Sequence, residues 1–480
     1  MGEYIFHTVP YEHQRKCFEA SRNETNYALF LEMGTGKTKV CLDTIGAAFE
    51  SGKISLALIV APKGVVRNWS SEIETHLPAR IPRQVVIWDR SLSKGHRQEL
   101  RTLAQSDPST LKFFLINVEA FSTQRGREIA DFFVRRQPSM CVIDESTTIK
   151  NRRAKRTKAL CAVGREAVMR RVLTGSPITQ SPMDLYSQMD FLDPEILGFK
   201  SYYAFQNRYA MVRRQSMGSH SFDKIVGFRR LDELSERLKP SSFRITKEEC
   251  LDLPDKIYVR RDVDLTPEQS KAYREMKQLA LARLASGELS TTTNVLTQIM
   301  RLQQICLGHL TDDDGQIHEL PSNRLAALLQ ITEELQGSAL IWATWSRDVR
   351  SIAQALRERF TDDSVAMLHG ETPDAERQGI VERFQDVADP LRFIVGHPKT
   401  GGYGLTLTAA STVIYYSNSY DLELRLQSED RAHRIGQTSS VTYVDLIAPK
   451  TLDEKIVEAL RNKSNIASTI MGEEIRQWLS

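Results

Sequence analysis

Short apolar runs alternate with longer stretches of mixed apolar and polar residues along most of this chain. Tyr27 to Met33, Leu56 to Ala61, Val85 to Trp88, Phe113 to Asn117, Met140 to Asp144 and Arg171 to Thr174 read as strands buried on both faces. Helix-length segments separate them, which predicts a parallel sheet covered by helices on both sides. The alternation restarts after about Leu265, with Ala339 to Ala343, Val365 to Leu368, Arg392 to Val395, Val413 to Tyr416 and Val441 to Leu446. A second α/β domain is therefore expected. Between the two, residues from about 195 to 262 are rich in Phe, Tyr and Arg, and Gln215 to Lys224 is polar enough to read as a surface loop. The expected organisation is one lobe over residues 1–195, a helical insertion and linker over 196–262, and a second lobe over 263–480. Val295, Ile299, Leu302 and Cys306 recur at helical spacing and read as a core stripe. The acidic Asp312, Asp313 and Asp314 read as a tight turn, because a calcium loop of EF-hand spacing needs an acidic group where Leu310 stands.

Composition narrows the class. At 480 residues and 41% hydrophobic content, the chain exceeds what one core fills, so two or three domains are expected. Leu56 to Ala61 is the longest apolar run and is far too short to span a bilayer, and no charged-then-apolar leader precedes it. Phe6 stands where a myristoylation motif needs serine or threonine. These features point to a cytoplasmic or other intracellular protein without a membrane partner. The six cysteines have no paired CxxC spacing, which fits buried thiols in a reducing compartment better than a zinc site. Net charge is only +3, yet from Lys150 to Arg171 nine lysines and arginines stand against Glu166 alone. Such a stretch suits either backbone phosphates or a solvated helix face.

Three segments carry candidate chemistry. Leu31-Glu32-Met33-Gly34-Thr35-Gly36-Lys37-Thr38 follows an expected strand and opens an expected helix, the context of a phosphate-binding loop. Gly34 and Gly36 let backbone N–H groups, with that of Thr35, turn inward around phosphates at a helix N-terminus. Lys37 suits the β and γ phosphates of ATP, and Thr38 suits magnesium. The strict pattern has glycine at position 31, where this chain has leucine. Asp144 and Glu145 end another apolar strand, where ligands bind in such sheets. Asp144 suits a hold on magnesium, and Glu145 the positioning of an attacking water. Thr174-Gly175-Ser176-Pro177 offers hydroxyls that suit either sensing of a γ-phosphate or capping of the segment Pro182 to Asp190.

The third segment is Gln427 to Gln437. Arg431 and Arg434 lie three apart, so on a helix they share a face and offer two charged forks to phosphate oxygens. Taken alone, the same stretch also reads as a surface helix laced with ion pairs through Glu429 and Asp430.

The ordered set GTGKT, LIVAPKGVVRNW, VIDESTTIKN, LTGSPI, MLHGETPDAER, GGYGLTLTAASTVIYY and QSEDRAHRIGQ resembles the motif series of superfamily-two helicases. Among these it is most similar to the Swi/Snf-related DNA-translocase family, whose late DRAHRIGQ element stands unchanged at Asp430 to Gln437. The resemblance runs from Gln14 to about Ile447. It implies two RecA-like lobes in tandem that sandwich ATP, with double-stranded DNA across both. Gln14 matches the adenine-reading glutamine, Arg431 and Arg434 match the finger arginines, and Gln427 matches the glutamine before them. Lys63, Asn117, Trp345 and the loop holding Gly402 and Gly404 fall in motifs that contact DNA or couple it to ATP. Lys150, Arg152 and Arg153 follow the Asp-Glu box and join the expected nucleic-acid contacts.

The chain departs from the family at Ser146, where a small residue is usual, at Thr147, where histidine is usual, and at Glu32, usually aspartate. Pro398, Lys399 and Thr400 replace the usual Ser/Thr-x-Ala. The first two changes predict an altered contact between the box and the motif around Thr174. The expected function is a bare motor, a magnesium-dependent ATPase stimulated by DNA. It would translocate on duplex DNA without sequence specificity and remodel branched or protein-bound DNA. Two alternatives stand beside it. One is a strand-separating or branch-acting helicase on DNA or RNA, for which the 210 to 230 loop could hold a hairpin. The other is a non-hydrolysing nucleic-acid clamp.

Overall fold

Leu56 to Ala61 is apolar at all six positions because all six are buried. Leu56, Leu58 and Val60 pack into one core and Ala57, Ile59 and Ala61 into another, so the strand lies inside a sheet covered on both faces. The computed structural model describes residues 4–63, 65–105, 107, 109–217, 220–285, 292–312, 314–369, 372–401, 405–434 and 436–471. These form two compact units, the first built mainly on residues before Leu253 and the second mainly on those after it.

The first unit holds β1 (Asn26–Leu31), β2 (Leu56–Ala61), β3 (Arg83–Ile87), β4 (Leu111–Asn117), β5 (Ser139–Asp144) and β6 (Met169–Leu173). In chain order β7 (Ala210–Met217) and β8 (His220–Phe228) come next, with Val212–Lys224 counted in the second unit, and then β9 (Ser242–Ile245) of the first. Seven of these make one parallel sheet in the order β3-β4-β2-β5-β6-β1-β9. β1 sits between β6 and β9, and β5 between β2 and β6, so the loops after β1 and β5 leave the same carboxyl edge.

The second unit holds β10 (Lys256–Asp262), the short hairpin β11 (His309–Thr311) and β12 (Ile317–Glu319), β13 (Ser338–Trp342), β14 (Val365–Leu368), β15 (Phe393–Gly396), β16 (Ala410–Tyr415) and β17 (Val441–Ile447). Its parallel sheet runs β10-β17-β16-β13-β15-β14. Ala339 and Ile341 enter one core and Leu340 and Trp342 the other, repeating the two-sided burial of the first sheet. In the acidic turn, Asp312 Oδ1 accepts backbone N–H bonds from Asp314 and Gln316. Among the described residues no helix is long and apolar enough to cross a membrane.

The stretch expected as helical insertion and linker does contain the helices Tyr202–Tyr209 and Leu231–Leu238, but it also contributes strands. β9 extends the first sheet and β10 borders the second. Both are edge strands; β10 exposes Ile257, Val259 and three charged residues, so no apolar run marked it. The surface loop expected at Gln215 to Lys224 is corrected too. β7 and β8 pair with each other, and the exposed Arg213, Arg214, Gln215, Asp223 and Lys224 give no buried face to read from the sequence.

The basic run from Lys150 to Arg171 is not one surface. Arg171 is fully buried, where NH1 donates to the carbonyls of Thr25 (2.9 Å) and Arg170 (2.7 Å), and NH2 to those of Ser21 (2.8 Å) and Glu24 (2.6 Å). It thereby satisfies carbonyls at the end of α1 (Glu12–Ser21), the helix that carries Gln14. Burial pushes its guanidinium down to about 10. Arg170 also turns inward, onto Leu192 O, Gly164 O and Asn26 Oδ1. These two arginines therefore do not join a phosphate-facing patch. Replacing Arg171 by methionine strands several buried carbonyls and should cost about 3 kcal/mol, read as a lower urea midpoint of the first unit.

Candidate active site

β1 ends at Leu31, and α2 (Lys37–Glu50) begins after a turn in which Gly34 and Gly36 take φ of 82° and 92°. Both values lie in the left-handed region, which costs a side-chain-bearing residue roughly 1–2 kcal/mol. A Cβ at Gly36 would also collide with the Gln14 amide and displace it from its place behind the loop. Gln14 is buried, with Nε2 donating to Thr35 O at 3.2 Å and Oε1 accepting from Tyr11 N at 3.1 Å. His13 Nε2 donates to the same Thr35 carbonyl at 2.8 Å, and Thr35 Oγ1 to Glu32 O at 2.7 Å. The loop is thus held from behind by α1, while Lys37 and Thr38 occupy the first turn of α2, at its positive end. Glu32 accepts from Lys247 N at 2.9 Å, at the helical turn after β9.

Asp144 closes β5 and is buried. Burial pushes its carboxyl up, while Lys37, the Trp69 indole and the Glu145 N–H pull it down, leaving it above the ordinary aspartate range. Trp69, on α3 (Val66–His76), donates its Nε1–H to Asp144 Oδ2 at 2.8 Å, and Glu145 N–H donates to Oδ1 at 3.0 Å. Glu145 itself sits at φ 48° and ψ 61°, a left-handed conformation that costs a glutamate about 1–3 kcal/mol. Trp69 lies within the quoted LIVAPKGVVRNW stretch, but nothing in the sequence alone tied it to a carboxylate 75 residues away.

The Thr174 turn resolves one of its two readings. Thr174 Oγ1 accepts from Ser176 N at 3.1 Å, closing its own turn. The segment starting at Pro182 is capped instead by Ser181, which accepts from Met183 N, and by Asp184, which accepts from the backbone N–H groups of Thr179, Gln180 and Ser181.

In the second unit the helix expected to carry both arginines stops short. α4 (Leu422–Glu429) is capped by Asp421 and ends before Arg431. Arg431 and Arg434 lie on the turns beyond it, yet converge: NH1 of each donates to Leu405 O, at 3.3 and 3.4 Å. Arg431 Nε donates to Gln427 O at 3.1 Å. The segment is not a surface helix; Gln427, Glu429, Asp430, Arg431, His433 and Gln437 are all buried. His433 Nε2 donates to Pro254 O at 2.7 Å, and Gln437 Nε2 to the carbonyls of Thr408, Ala410 and Ala432. Beneath it, Arg425 pairs with both oxygens of Asp445 (2.5 and 3.0 Å) and with Glu429 (2.8 Å), its guanidinium 3.5 Å from the Tyr415 ring centroid. Burial would push Glu429 up, but Lys256 and Arg425 hold its carboxyl below the usual range, helped by the Tyr258 hydroxyl at 2.8 Å.

The remaining expected contacts are dispersed. Lys63 and Arg153 are exposed; Asn117 Nδ2 donates to Glu119 Oε2 at 2.8 Å. Arg152 stacks on Tyr202 and Tyr203, 4.2 and 5.2 Å from their centroids. Lys150 Nζ turns to Thr179 Oγ1 at 2.8 Å. Trp345 is half-buried, edge-on to His309 at 6.1 Å. Gly402 and Gly404 lie outside the described residues.

Residues 13–309 match the family described as SNF2-related domain. This chain belongs to that family. Residues 323–436 of this SNF2-related chain also match the helicase conserved C-terminal domain. It is 27% identical over 451 residues to an uncharacterized ATP-dependent helicase of Mycoplasma pneumoniae, covering 92% of this chain and 40% of that protein. It is 28% identical to the DNA annealing helicase and endonuclease ZRANB3 of Bos taurus, over 92% of this chain and 38% of that protein. It is 26% identical to the putative ATP-dependent helicase/translocase YwqA of Bacillus subtilis, over 94% and 46%. The chain thus spans less than half the length of these relatives.

The residues around the loop after β1 would suit a magnesium ion that also binds phosphates. Gly36 leaves the backbone cradle open, Asp144 supplies one buried carboxylate, and Thr38 stands on the first turn of α2. Among the described residues no three His, Cys, Asp or Glu side chains gather into a metal cage. Asp144 would serve ionised, so nucleotide turnover should fall as pH drops through its raised pKa, above the ordinary aspartate range. Trp69→Phe removes one stabilising donor and raises that pKa further. The acid limb of the pH–rate profile should move to higher pH in the variant.

Proposed function

We propose that this chain is a DNA-stimulated, magnesium-dependent ATPase that translocates on double-stranded DNA and remodels DNA or protein–DNA complexes. The observation that carries this reading is the buried Asp144 at the carboxyl edge of β5, under the charge of Lys37 at the start of α2, with Glu145 held strained beside it. Membership of the SNF2-related family and the names of the helicase and translocase relatives support it. Gln14 holds the phosphate loop and reads adenine; Gly34, Thr35 and Gly36 cradle phosphates, and Lys37 neutralises them. Thr38 and Asp144 hold magnesium, which when bound neutralises the charge developing on the phosphates. Glu145 orients the attacking water. Gln427, Arg431 and Arg434 act on the γ-phosphate, and Gly404 belongs to the same nucleotide function.

Lys63, Asn117, Arg152, Arg153, Trp345 and Gly402 are proposed to face the nucleic acid, with Lys150 acting through Thr179. Phosphate contacts of this kind give affinity without sequence preference and make it fall steeply with salt. Six unpaired cysteines, five of them buried, support an intracellular, reducing setting. Arg434→Ala should leave ATP affinity within about twofold and lower DNA-stimulated turnover roughly 10³-fold or more, the scale of an arginine finger. Glu145→Gln should bind ATP and duplex DNA but not turn over. Equal loss of nucleotide affinity and turnover in Arg434→Ala counts against the finger role, and full turnover in Glu145→Gln against the water-positioning role.

The hairpin β7–β8 favours a second reading, action at DNA branches. A two-stranded ribbon is narrow enough for a DNA major groove, and Arg213, Arg214 and Lys224 on it are exposed. The relative named as a DNA annealing helicase supports the same direction. Under this reading, Arg213→Glu with Arg214→Glu abolishes fork regression yet keeps ATPase stimulation by linear duplex. Unchanged fork regression in that variant removes the reading.

A further inference from the structure

Ser146 follows the Asp-Glu pair directly, and the structure gives its hydroxyl a buried partner. Ser146 is fully buried, and its Oγ–H donates to Gln188 Oε1 at 2.6 Å. Gln188, on the helix Leu185–Leu192, is fully buried as well. Its Nε2 donates to Pro177 O at 2.8 Å and to Asp184 O at 2.9 Å. Two carbonyls can only accept, so the amide has one orientation, with its oxygen turned to the serine. Both N–H groups of this buried carboxamide and one lone pair of its oxygen are thereby used.

The amide therefore joins two segments at the site. On one side is Glu145, strained and one bond from Ser146. On the other is the turn Thr174-Gly175-Ser176-Pro177, where a Cβ on Gly175 would lie 3.0 Å from Met33 N of the phosphate loop. A second bridge runs parallel: Lys150 Nζ donates to Thr179 Oγ1, and Ser187 Oγ donates to Lys150 O at 2.9 Å. Lys150 precedes Arg152 and Arg153, so this bridge connects the basic segment to the same turn. Leaving any of these buried groups unpaired is costly, and a shift of one segment must drag the other or break a bond.

We propose that Ser146 and Gln188 are positioning residues that couple DNA contact at the Lys150–Arg153 segment to the placement of Glu145. Their bonds link the box to the Thr174 turn. The proposal rests on the reading of the chain as a DNA-stimulated ATPase.

The test uses the full chain as Ser146→Ala, as Gln188→Met, which keeps the shape and loses the amide, and as the double variant. ATPase is measured with and without linear duplex DNA, alongside ATP KM, duplex affinity and thermal midpoint. Each single variant should lower the ratio of stimulated to DNA-free turnover about tenfold, with KM and duplex affinity moving less than twofold. The double variant should be no worse than the more affected single, because both break one chain of bonds. The proposal is overturned if the ratio is unchanged, or if both turnovers fall by one factor in step with the thermal midpoint. Should Gln188→Met fail to fold, Ser146→Ala alone decides by the same ratio. A wild-type chain that shows no stimulation overturns instead the underlying reading.

Discussion

A charge taken out of water is tolerated only where matching charge and hydrogen bonds surround it, and in this chain that constraint sets the parts proposed to carry chemistry. Arg425 is the clearest instance. Its guanidinium is sealed beneath the second sheet's carboxyl edge, where Asp445, Glu429 and Asn418 take its N–H groups and Tyr415 lies against its face. Glu429 in turn binds Lys256 and Tyr258. The turns carrying Arg431 and Arg434 leave directly from this cluster. Their geometry is inherited from a buried network rather than from a helix.

The first unit meets the same constraint with opposite sign. Asp144 is a carboxylate in a buried position, and its partners are the Trp69 indole, the Glu145 amide and the charge of Lys37. Gly34 and Gly36 take positive φ as glycines can without strain, but Glu145 is left-handed, a conformation that a glutamate keeps only in a supporting framework. Strain of this size persists at a site when the surrounding bonds over-determine it. Here those bonds come from α1 behind the loop and from Ser146 and Gln188 beside the box.

Much of this was legible in the sequence, for a physical reason. Strands buried on both faces must be apolar throughout, so β2 and β5 announced themselves, and a loop that wraps phosphates must carry glycine at set positions. What was not legible depended on partners distant in sequence. β9 and β10 are edge strands with charged, half-open faces, and β7–β8 packs on a core only through its base, at Ala210, Ile225 and Phe228, while Arg213, Arg214, Gln215, Asp223 and Lys224 are exposed. The end of α4 at Glu429 was hidden because bonds from His433 to Pro254 and from Gln437 to Thr408 and Ala410 compete with continued helix. Arg171 stood both at the start of an expected buried strand and at the end of a basic run, and nothing local shows that four carbonyls await it.

The framework holds the groups proposed as catalytic in place, and one measurement tests directly what those groups respond to. ATP turnover by the full chain, with magnesium and at fixed low salt, is compared across linear duplex DNA, forked DNA, single-stranded DNA, RNA and no nucleic acid. Strong stimulation by DNAs that contain duplex is expected, and far less by single strands or RNA. Equal or greater stimulation by single-stranded DNA or RNA, or turnover indifferent to every nucleic acid, would contradict it.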